Sequence, residues 1–359
     1  MQNHLYYTHR DNSQISFEDI NLRDLRWLVR LETKIDEQIN DIFPLSAYGD
    51  PSEILQVPGA KSLMEAAELV NAEKYDFVET LGDIEVIGFM PNDQIILVFK
   101  PDSIICQGIY RFTSDFLEEL FHINKYAAWC LNEDYRYLVL FNLLYLFLKL
   151  KNLKKQFRLV KKNDYFYIRG MTSEAYNNYD NRIALYITLL SLHHYCKELN
   201  APFHVIEIFM SESSMRVYFE QPQSILLKGI GKVYMGLVLN NGEIRDSRFT
   251  LELRYTLQET ESMNRFSMVP PLNEAIIDII HTLRPEKAKI RFMELFKIRE
   301  KQIQMLELIN RLNEADLTDE NALYSFFRKV VMNITVRESR YSGSFCSGVF
   351  SCYRSDYKF

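Results

Sequence analysis

Four runs of alternating polar and apolar residues constrain the fold more than any other part of the chain. They follow one another between Phe203 and Gln258 and read VIEIFM, MRVYFE, KVYMGLVL and RFTLELRYTL. In a strand, successive side chains point to opposite faces. The last run therefore places five apolar side chains on one face: Phe249, Leu251, Leu253, Tyr255 and Leu257. This pattern predicts an antiparallel sheet with one buried and one solvated face.

A short polar segment, Asn240-Asn241-Gly242-Glu243, separates the last two runs. Asn-Gly is the strongest short signal for a hairpin turn, because both residues tolerate positive φ. We therefore predict a structural turn formed by Asn241, Gly242 and Glu243. The alternative is a polar role for Glu243 at the end of the sheet.

Helical periodicity flanks the predicted sheet on both sides. Apolar residues at steps of three and four predict helices at 21–43, 181–199 and 286–313, and a good capping sequence predicts another at 318–336. Residues 113–150 also read as mostly helical. The predicted fold class is α+β, in which helices flank a central antiparallel meander with a hairpin at Asn241-Gly242.

These patterns divide the chain into three predicted regions. Residues 1–150 form a mostly helical N-terminal region with a β-hairpin near 84–99, and residues 151–270 form an α+β core containing the antiparallel sheet. Residues 271–359 form a C-terminal helical region with a tail rich in serine and aromatic residues.

Composition indicates a globular protein of the cell interior. Of the 359 residues 47% are hydrophobic and 25% are charged, which suffices to bury a core. The five cysteines are scattered and odd in number, a pattern typical of a reducing compartment. The most apolar window, 137–150, is shorter than the roughly 20 residues that a membrane span requires. We expect a cytoplasmic protein with no membrane partner.

The sign of the charge reverses in one stretch. Eight basic residues and one acid between Lys149 and Arg169 give this stretch a net charge of +7, whereas the whole chain carries −6 and the remainder therefore −13. Aromatic residues are interleaved with the charges, as in surfaces that hold phosphates and stack bases. The predicted nucleic-acid-binding residues are Lys151, Lys154, Lys155, Arg158, Lys161, Lys162, Tyr165, Tyr167 and Arg169. The alternative is a solvated helix end and loop whose charges serve an acidic face of the same fold or of a sister subunit.

Three motifs that suggest chemistry are better explained by structure. Gly229-Ile230-Gly231 lacks the third glycine of a dinucleotide fingerprint and precedes a strand. The adjacent pair His193-His194 would point about 100° apart on a helix, so the two histidines and Cys196 do not form a convincing metal site. A nuclease site with magnesium held near Asp93, Lys100 and Asp102 is explained better by a hairpin. We predict no catalytic residue, metal or cofactor, and whether the protein is an enzyme stays open, with a non-enzyme favoured.

Two segments between about residues 160 and 260 resemble phage/plasmid-like proteins known only as a domain of unknown function. The first has an arginine on a strand, then Ser-x-x-Tyr and Asp-Asn, here Arg169, Ser173, Tyr176, Asp180 and Asn181. The second has, in the family, a glycine-rich strand, then Asn-Ser-Glu, then an alternating strand; here Gly236 and Asn241-Gly242-Glu243 occupy those places, and Arg245 stands where the family has a glycine. The resemblance implies a component of phages, plasmids or other mobile elements, without an assigned reaction.

The leading hypothesis is a non-catalytic accessory protein of a phage, plasmid or phage-defence system that binds DNA or RNA through residues 149–169. The first alternative is an oligomeric structural or protein-interaction subunit that associates through its C-terminal helices. The second alternative is a metal-dependent nuclease.

Overall fold

The computed structural model describes residues 4–30, 33–227, 231–244, 247–258, 265–268 and 276–314. Two compact units divide the chain. One comprises His4–Ile303 and contains both β-sheets. The other comprises Met1–Asn3 and Gln304–Phe359, and of it the structure describes residues 304–314.

Strands and helices alternate in blocks along the chain. The strands are β1 (Tyr7–Arg10), β2 (Glu73–Thr80), β3 (Ile84–Phe89), β4 (Ile95–Phe99), β5 (Ile104–Gly108), β6 (Lys154–Lys162), β7 (Tyr165–Thr172), β8 (His204–Ser211), β9 (Ser214–Leu227), β10 (Gly231–Gly242), β11 (Phe249–Gln258), β12 (Arg265–Met268) and β13 (Ile277–Ile279). The α-helices are α1 (Lys34–Ile42), α2 (Ala60–Leu69), α3 (Phe112–Phe121), α4 (Asn124–Asn132), α5 (Arg136–Leu150), α6 (Asn181–Leu199), α7 (Pro285–Met293) and α8 (Ile298–Glu314).

A seven-stranded antiparallel sheet confirms the predicted fold class. Its order is β1-β8-β9-β10-β11-β12, and β13 also pairs with β11. The apolar side chains of β11 are buried from Phe249 to Tyr255 as predicted, but Leu257 is half-buried. Arg254 and Thr256, predicted to face solvent, are also buried, because both are hydrogen-bonded to the buried Glu220.

The hairpin between β10 and β11 is present, but its turn lies later in the sequence than predicted. Asn241 and Gly242 belong to β10, where they pair with Met215 and Ser214 of β9. Neither residue has a positive φ. The ladder with β9 extends β10 to Gly242, so the chain reverses between Glu243 and Phe249.

A second, six-stranded sheet has the order β2-β6-β7-β5-β4-β3. All its neighbours are antiparallel except β5 and β7, which are parallel. The predicted hairpin near 84–99 is confirmed as β3 and β4, but five strands lie before residue 150, so the N-terminal region is less helical than predicted. Because β6 and β7 share this sheet with β2–β5, the sheet crosses the predicted region boundary at residue 150.

The predicted helix at 113–150 is three helices, because left-handed residues interrupt it. His122 (φ 54°) ends α3, and Asp134 (φ 60°) separates α4 from α5. These helices and the six-stranded sheet enclose one hydrophobic core, whose members include Phe116, Leu143 and Phe157. Most of α6, the helix predicted at 181–199, is buried beside the seven-stranded sheet.

Two further helix predictions require correction. The segment predicted as one helix over 21–43 forms a 3₁₀ helix at Leu22–Leu28 and then α1. The predicted helix 286–313 is interrupted by a 3₁₀ turn at Glu294–Lys297 between α7 and α8. The predicted helix 318–336 and the tail lie outside the described residues. Among the helices described, none combines the length and apolar character that crossing a membrane requires.

Candidate functional site

The basic stretch forms the β6–β7 hairpin. Asn163 and Asp164 make its two-residue turn, and both have positive φ (51° and 65°), as a type I′ turn requires. Residues 157–160 are all buried, since this part of β6 lies inside the fold. The hairpin therefore divides the predicted nucleic-acid-binding residues into buried arginines and more exposed lysines.

Arg158 and Arg169 are fully buried, with 0% and 1% of their surface exposed. Their guanidinium groups are therefore unavailable to a phosphate backbone in this fold. They belong instead to a set of three cations and three carboxylates that we name the buried charge cluster: Lys74, Asp76, Arg158, Arg169, Asp180 and Glu243.

Glu243 connects the two sheets within this cluster. It lies just after β10 of the seven-stranded sheet and has no exposed surface. Its carboxylate is 2.7 Å from Nζ of Lys74 on β2 and 2.5 Å from Nη1 of Arg169 on β7. It also accepts the backbone N–H of Asn181 at 2.9 Å. One carboxylate thus neutralises two cations of the six-stranded sheet and contacts the start of α6.

Arg158 makes the complementary set of bonds from the six-stranded sheet. Its Nη2 lies 2.6 Å from carboxylate oxygens of both Asp76 and Asp180, and its Nη1 donates to the backbone carbonyl of Glu243. Asp180 is the N-cap residue of α6, but its side chain makes no cap hydrogen bond. Its carboxylate binds Arg158 and Lys74 instead.

The electrostatics keep the cluster charged. Burial alone would raise the pKa of Asp180, but the charges of Arg158, Lys74 and Arg169 hold that pKa well below its usual value. Burial and Asp180 also raise the pKa of Glu243, yet Lys74, Arg169 and Arg158 lower it overall. Asp180 and Glu243 therefore stay ionised near neutral pH, as does Arg158, whose pKa the charges of Asp180 and Asp76 raise against the effect of burial. Neither carboxylate is suited to exchange a proton at that pH, so the arrangement fits a structural ion network.

A shell of neutral polar groups surrounds the cluster. Asn178 donates to Asp76, and Tyr176 donates to the backbone carbonyl of Glu243. Asn241 donates to the side-chain oxygen of Asn181 at 2.9 Å. The ring of His281 stacks on Tyr176 with centroids 4.7 Å apart, and burial lowers the pKa of His281 to about 4.

Most of the residues singled out in two segments of the sequence meet at this cluster. The two segments, 169–181 and 236–243, are more than 50 residues apart in sequence. The converging residues are Arg169, Tyr176, Asp180, Asn181, Asn241 and Glu243. Ser173 is exposed, and Gly236 lies in β10, where a Cβ would be 2.5 Å from the carbonyl oxygen of Phe219.

The exposed charges of the basic stretch lie at its two ends. At the first end, Lys149 lies in the last turn of α5 and is followed by Lys151, Lys154 and the half-buried Lys155; we name these four the lysine surface. Within the described part of the chain none of the four forms an ion pair, and Lys149 lies 4.8 Å from the ring centroid of Tyr145. Four lysines within seven residues of sequence thus have no carboxylate partner among the described residues.

The other end is the tip of the β6–β7 hairpin, about 25 Å away at the usual rise of a strand. There Lys161 lies 3.6 Å from Asp164, and Lys162 donates to the backbone carbonyl of Leu5. Tyr165 is 70% exposed and Tyr167 is half-buried. These two lysines are partly engaged within the protein, whereas the ring of Tyr165 is open.

The residues weighed for metal or nuclease chemistry do not converge. Asp93 lies in a turn and pairs with Arg136 at 3.0 Å, while Lys100 donates to the carbonyl of Gly82. His193 accepts the backbone N–H of Gln56. The described residues contain no group of three histidine, cysteine or acidic side chains arranged to hold a metal ion.

Sequence reasoning missed the buried charge cluster because its members come from five separate segments. The available signal was weak: Arg158 lies between Phe157 and Leu159, and Arg169 between Ile168 and Gly170. Because neighbouring side chains of a strand point to opposite faces, an arginine between apolar residues is expected to face solvent, so this pattern does not by itself indicate a buried guanidinium. Comparisons of the chain with protein-family models, with curated proteins and with solved structures found no match.

Proposed function

We propose that this protein is a non-catalytic nucleic-acid-binding accessory protein, and that the lysine surface makes its main phosphate contacts. The supporting observation is the local excess of charge. Lys149, Lys151, Lys154 and Lys155 lie within seven residues and form no ion pair with a described residue, although the chain as a whole carries −6. Such a patch attracts a polyanion while the acidic remainder repels it, and screening at physiological salt confines that repulsion to about 8 Å.

The tip of the β6–β7 hairpin supplies a second contact in this proposal. Tyr165 offers an exposed ring on which a base can stack, and Lys161 and Lys162 lie beside it. The distance of about 25 Å between the two ends corresponds to roughly seven base pairs of duplex. Binding by phosphate contact and stacking is independent of sequence, which suits an accessory protein of a phage, plasmid or defence system.

The experiment is fluorescence anisotropy with labelled single-stranded DNA, double-stranded DNA and single-stranded RNA. Titrations at about 50 and 200 mM salt give the slope of affinity against salt, because each phosphate contact on duplex contributes about 0.9 to that slope. We expect salt-dependent binding. The variant Lys154→Glu/Lys155→Glu should bind at least tenfold more weakly and lose about 2 from the slope on duplex.

The matched control is Lys232→Glu/Lys287→Glu, which introduces the same charge change at two exposed lysines outside the basic stretch. It should bind within about twofold of the wild type. Absence of binding at low salt would refute the proposal. Equal losses in the two double variants would show that net charge, and not the lysine surface, governs the affinity.

A further inference from the structure

Helix α5 has an apolar face that no described residue covers. Five of its side chains are more than half exposed: Tyr137 (64%), Phe141 (73%), Leu144 (61%), Tyr145 (59%) and Leu148 (71%). On the opposite side of the same helix, Val139, Leu143 and Phe147 are buried in the core of the six-stranded sheet. The helix is thus apolar on both sides, and the described residues cover only one of them.

The exposed residues follow the spacing of a coiled-coil seam. Tyr137, Phe141, Leu144 and Leu148 are separated by four, three and four residues, which is the d-a-d-a pattern of a heptad. Two charged residues flank the seam just outside the helix, Asp134 in the left-handed turn before α5 and Lys151 at its C-cap. Asp134 lies seven residues before Phe141, and Lys151 lies seven residues after Leu144.

We propose that this seam docks on the same seam of a second copy of the chain, with the two α5 helices antiparallel about a two-fold axis. Such an axis passes midway between Asn142 and Leu143. It places Tyr137 opposite Leu148 of the second copy, and Phe141 opposite Leu144 of the second copy. Each apolar layer therefore pairs one d position with one a position, as antiparallel packing requires.

Charge complementarity supports a second copy as the occupant. The same register places Asp134 opposite Lys151 of the second copy, and the two-fold axis repeats this pair at the other end. The side chain of Asp134 is 93% exposed and lies 3.6 Å from Arg136 of its own chain, and Lys151 is exposed, so both carry their charges at the surface beside the seam. A parallel arrangement would set like charges against each other at both ends.

The exposed area is also large enough. The five side chains expose roughly 600 Å² per chain, given that an aromatic side chain covers about 150–250 Å². Two copies would then bury up to about 1,200 Å² when the four seam residues and the adjacent Tyr145 are all covered, the lower limit of stable specific interfaces. A monomer rarely leaves an apolar patch of this size in water.

The test is sedimentation velocity of the full chain from about 0.1 to 100 μM, a range that brackets micromolar dissociation constants. We expect reversible association to twice the chain mass of 42.6 kDa. Phe141→Glu and Leu148→Glu each place two carboxylates in the apolar layers of the dimer. Each should weaken association at least a hundredfold, because central interface residues carry most of the binding energy.

Ile290→Glu is the matched control. Ile290 lies on α7 and is 62% exposed, so the substitution adds the same charge to another exposed helix position. It should leave association unchanged. Residue 290 lies in the C-terminal helices. If Ile290→Glu is monomeric while Phe141→Glu still dimerises, the interface lies on the C-terminal helices and the proposal is overturned. Circular dichroism should show all variants folded, since the substituted side chains face solvent.

Charge exchange tests the register itself. Asp134→Lys sets two lysines against each other at each end and should weaken association by about tenfold. The double variant Asp134→Lys/Lys151→Asp, which has the net charge of the wild type, should restore it. Lys151→Asp alone shifts the net charge in the opposite direction to Asp134→Lys and should weaken association by a similar factor, which a general effect of net charge would not do. A wild-type protein that stays monomeric over the whole concentration range would refute the proposal. A wild-type protein that is monomeric in solution but co-sediments with anionic vesicles would also refute it. The Lys154→Glu/Lys155→Glu variant should still dimerise, so dimerisation and nucleic-acid binding are tested separately.

Discussion

Replacing Glu243 by glutamine should destabilise the fold by several kcal/mol. The substitution keeps the size of the side chain but removes one negative charge from a group with no exposed surface. Lys74 and Arg169, which lie 2.7 and 2.5 Å from the carboxylate, lose their shared partner. The cluster then holds three cations and two carboxylates. Removing one partner of a buried ion pair costs about 3–5 kcal/mol, since the remaining charge stays away from water.

Thermal unfolding followed by circular dichroism measures this effect. At about 2.1 cal/mol/K per residue, a unit of roughly 300 residues has an unfolding entropy near 0.6 kcal/mol/K, so we expect Tm to fall by about 5–8 °C. Glu18→Gln is the matched control. It also removes a carboxylate paired with a lysine, Lys61, but Glu18 is 65% exposed. Surface pairs contribute at most about 1 kcal/mol, so its Tm should fall by less than about 2 °C.

The pH dependence provides an independent check of the same reasoning. The pKa values of Glu243 and Asp180 are lower in the folded protein than their ordinary values of 4.5 and 3.8. Their stabilisation is therefore fully present above about pH 4.5 and is lost as the pH falls below these ordinary values. Glu243→Gln should lose less stability than the wild type over that acidic range. If Glu243→Gln has the same Tm as Glu18→Gln at neutral pH, the structural role of the cluster is refuted.

Two further predictions concern single residues near the cluster and in the sheet. Burial lowers the pKa of His281 to about 4 from 6.5, so stability should be full above pH 6.5 and decline towards pH 4. The free energy of unfolding, measured in urea, should differ between pH 7 and pH 5 by about 2 kcal/mol less in His281→Gln than in the wild type. An equal pH dependence in the two proteins would contradict this. Gly236→Ala should cost more than about 2 kcal/mol, because its Cβ would lie 2.5 Å from the carbonyl oxygen of Phe219. Gly88→Ala, whose Cβ meets nothing within 4 Å, should cost less than about 0.5 kcal/mol in the same unfolding assay.

Much of the larger sheet could be predicted because its strands are consecutive. The four runs between Phe203 and Gln258 correspond to β8, β9, β10 and β11, and neighbouring runs pair with each other. Local alternation and chain order then suffice to give the topology. The position of the last turn could not be read in the same way. Pairing with β9 holds Asn241 and Gly242 in the ladder and overrides their preference for a turn.

The six-stranded sheet was less predictable because distant segments form it. Strand β6 pairs with β2, about 80 residues earlier, and β7 lies parallel to β5. Strand β2 is half-exposed along most of its length, so its sequence lacks a strong period of two. The hairpin of β6 and β7 had a local signal, Asn163-Asp164 between two β-rich runs. The many lysines in these two runs favoured an interpretation as an exposed basic stretch over one as a hairpin.

Summing charges along the sequence also grouped side chains that the fold separates. Lys154 and Arg158 lie on one strand four residues apart, yet Lys154 is exposed and Arg158 is fully buried. The difference depends on Asp76 and Asp180, which approach Arg158 from β2 and from the start of α6. The sequence indicates a basic stretch, but only the tertiary contacts decide which of its cations remain available to a partner.

Several residues of the two sequence segments resembling a known family converge at Glu243, and this convergence has a structural explanation. Arg169, Asp180 and Glu243 are held in place by each other across two sheets, so each is required by the fold whether or not the protein performs a reaction. Retention of such residues among related proteins would follow from stability alone. The proposed functions rest on other residues, those of the lysine surface and the α5 seam, whose exposed side chains contribute little to the core. Variants of the cluster should therefore lower Tm and leave nucleic-acid affinity unchanged well below that temperature. Variants of the lysine surface should lower nucleic-acid affinity and leave Tm unchanged. A variant of the cluster that loses nucleic-acid affinity while fully folded would show that the two sets of residues act together.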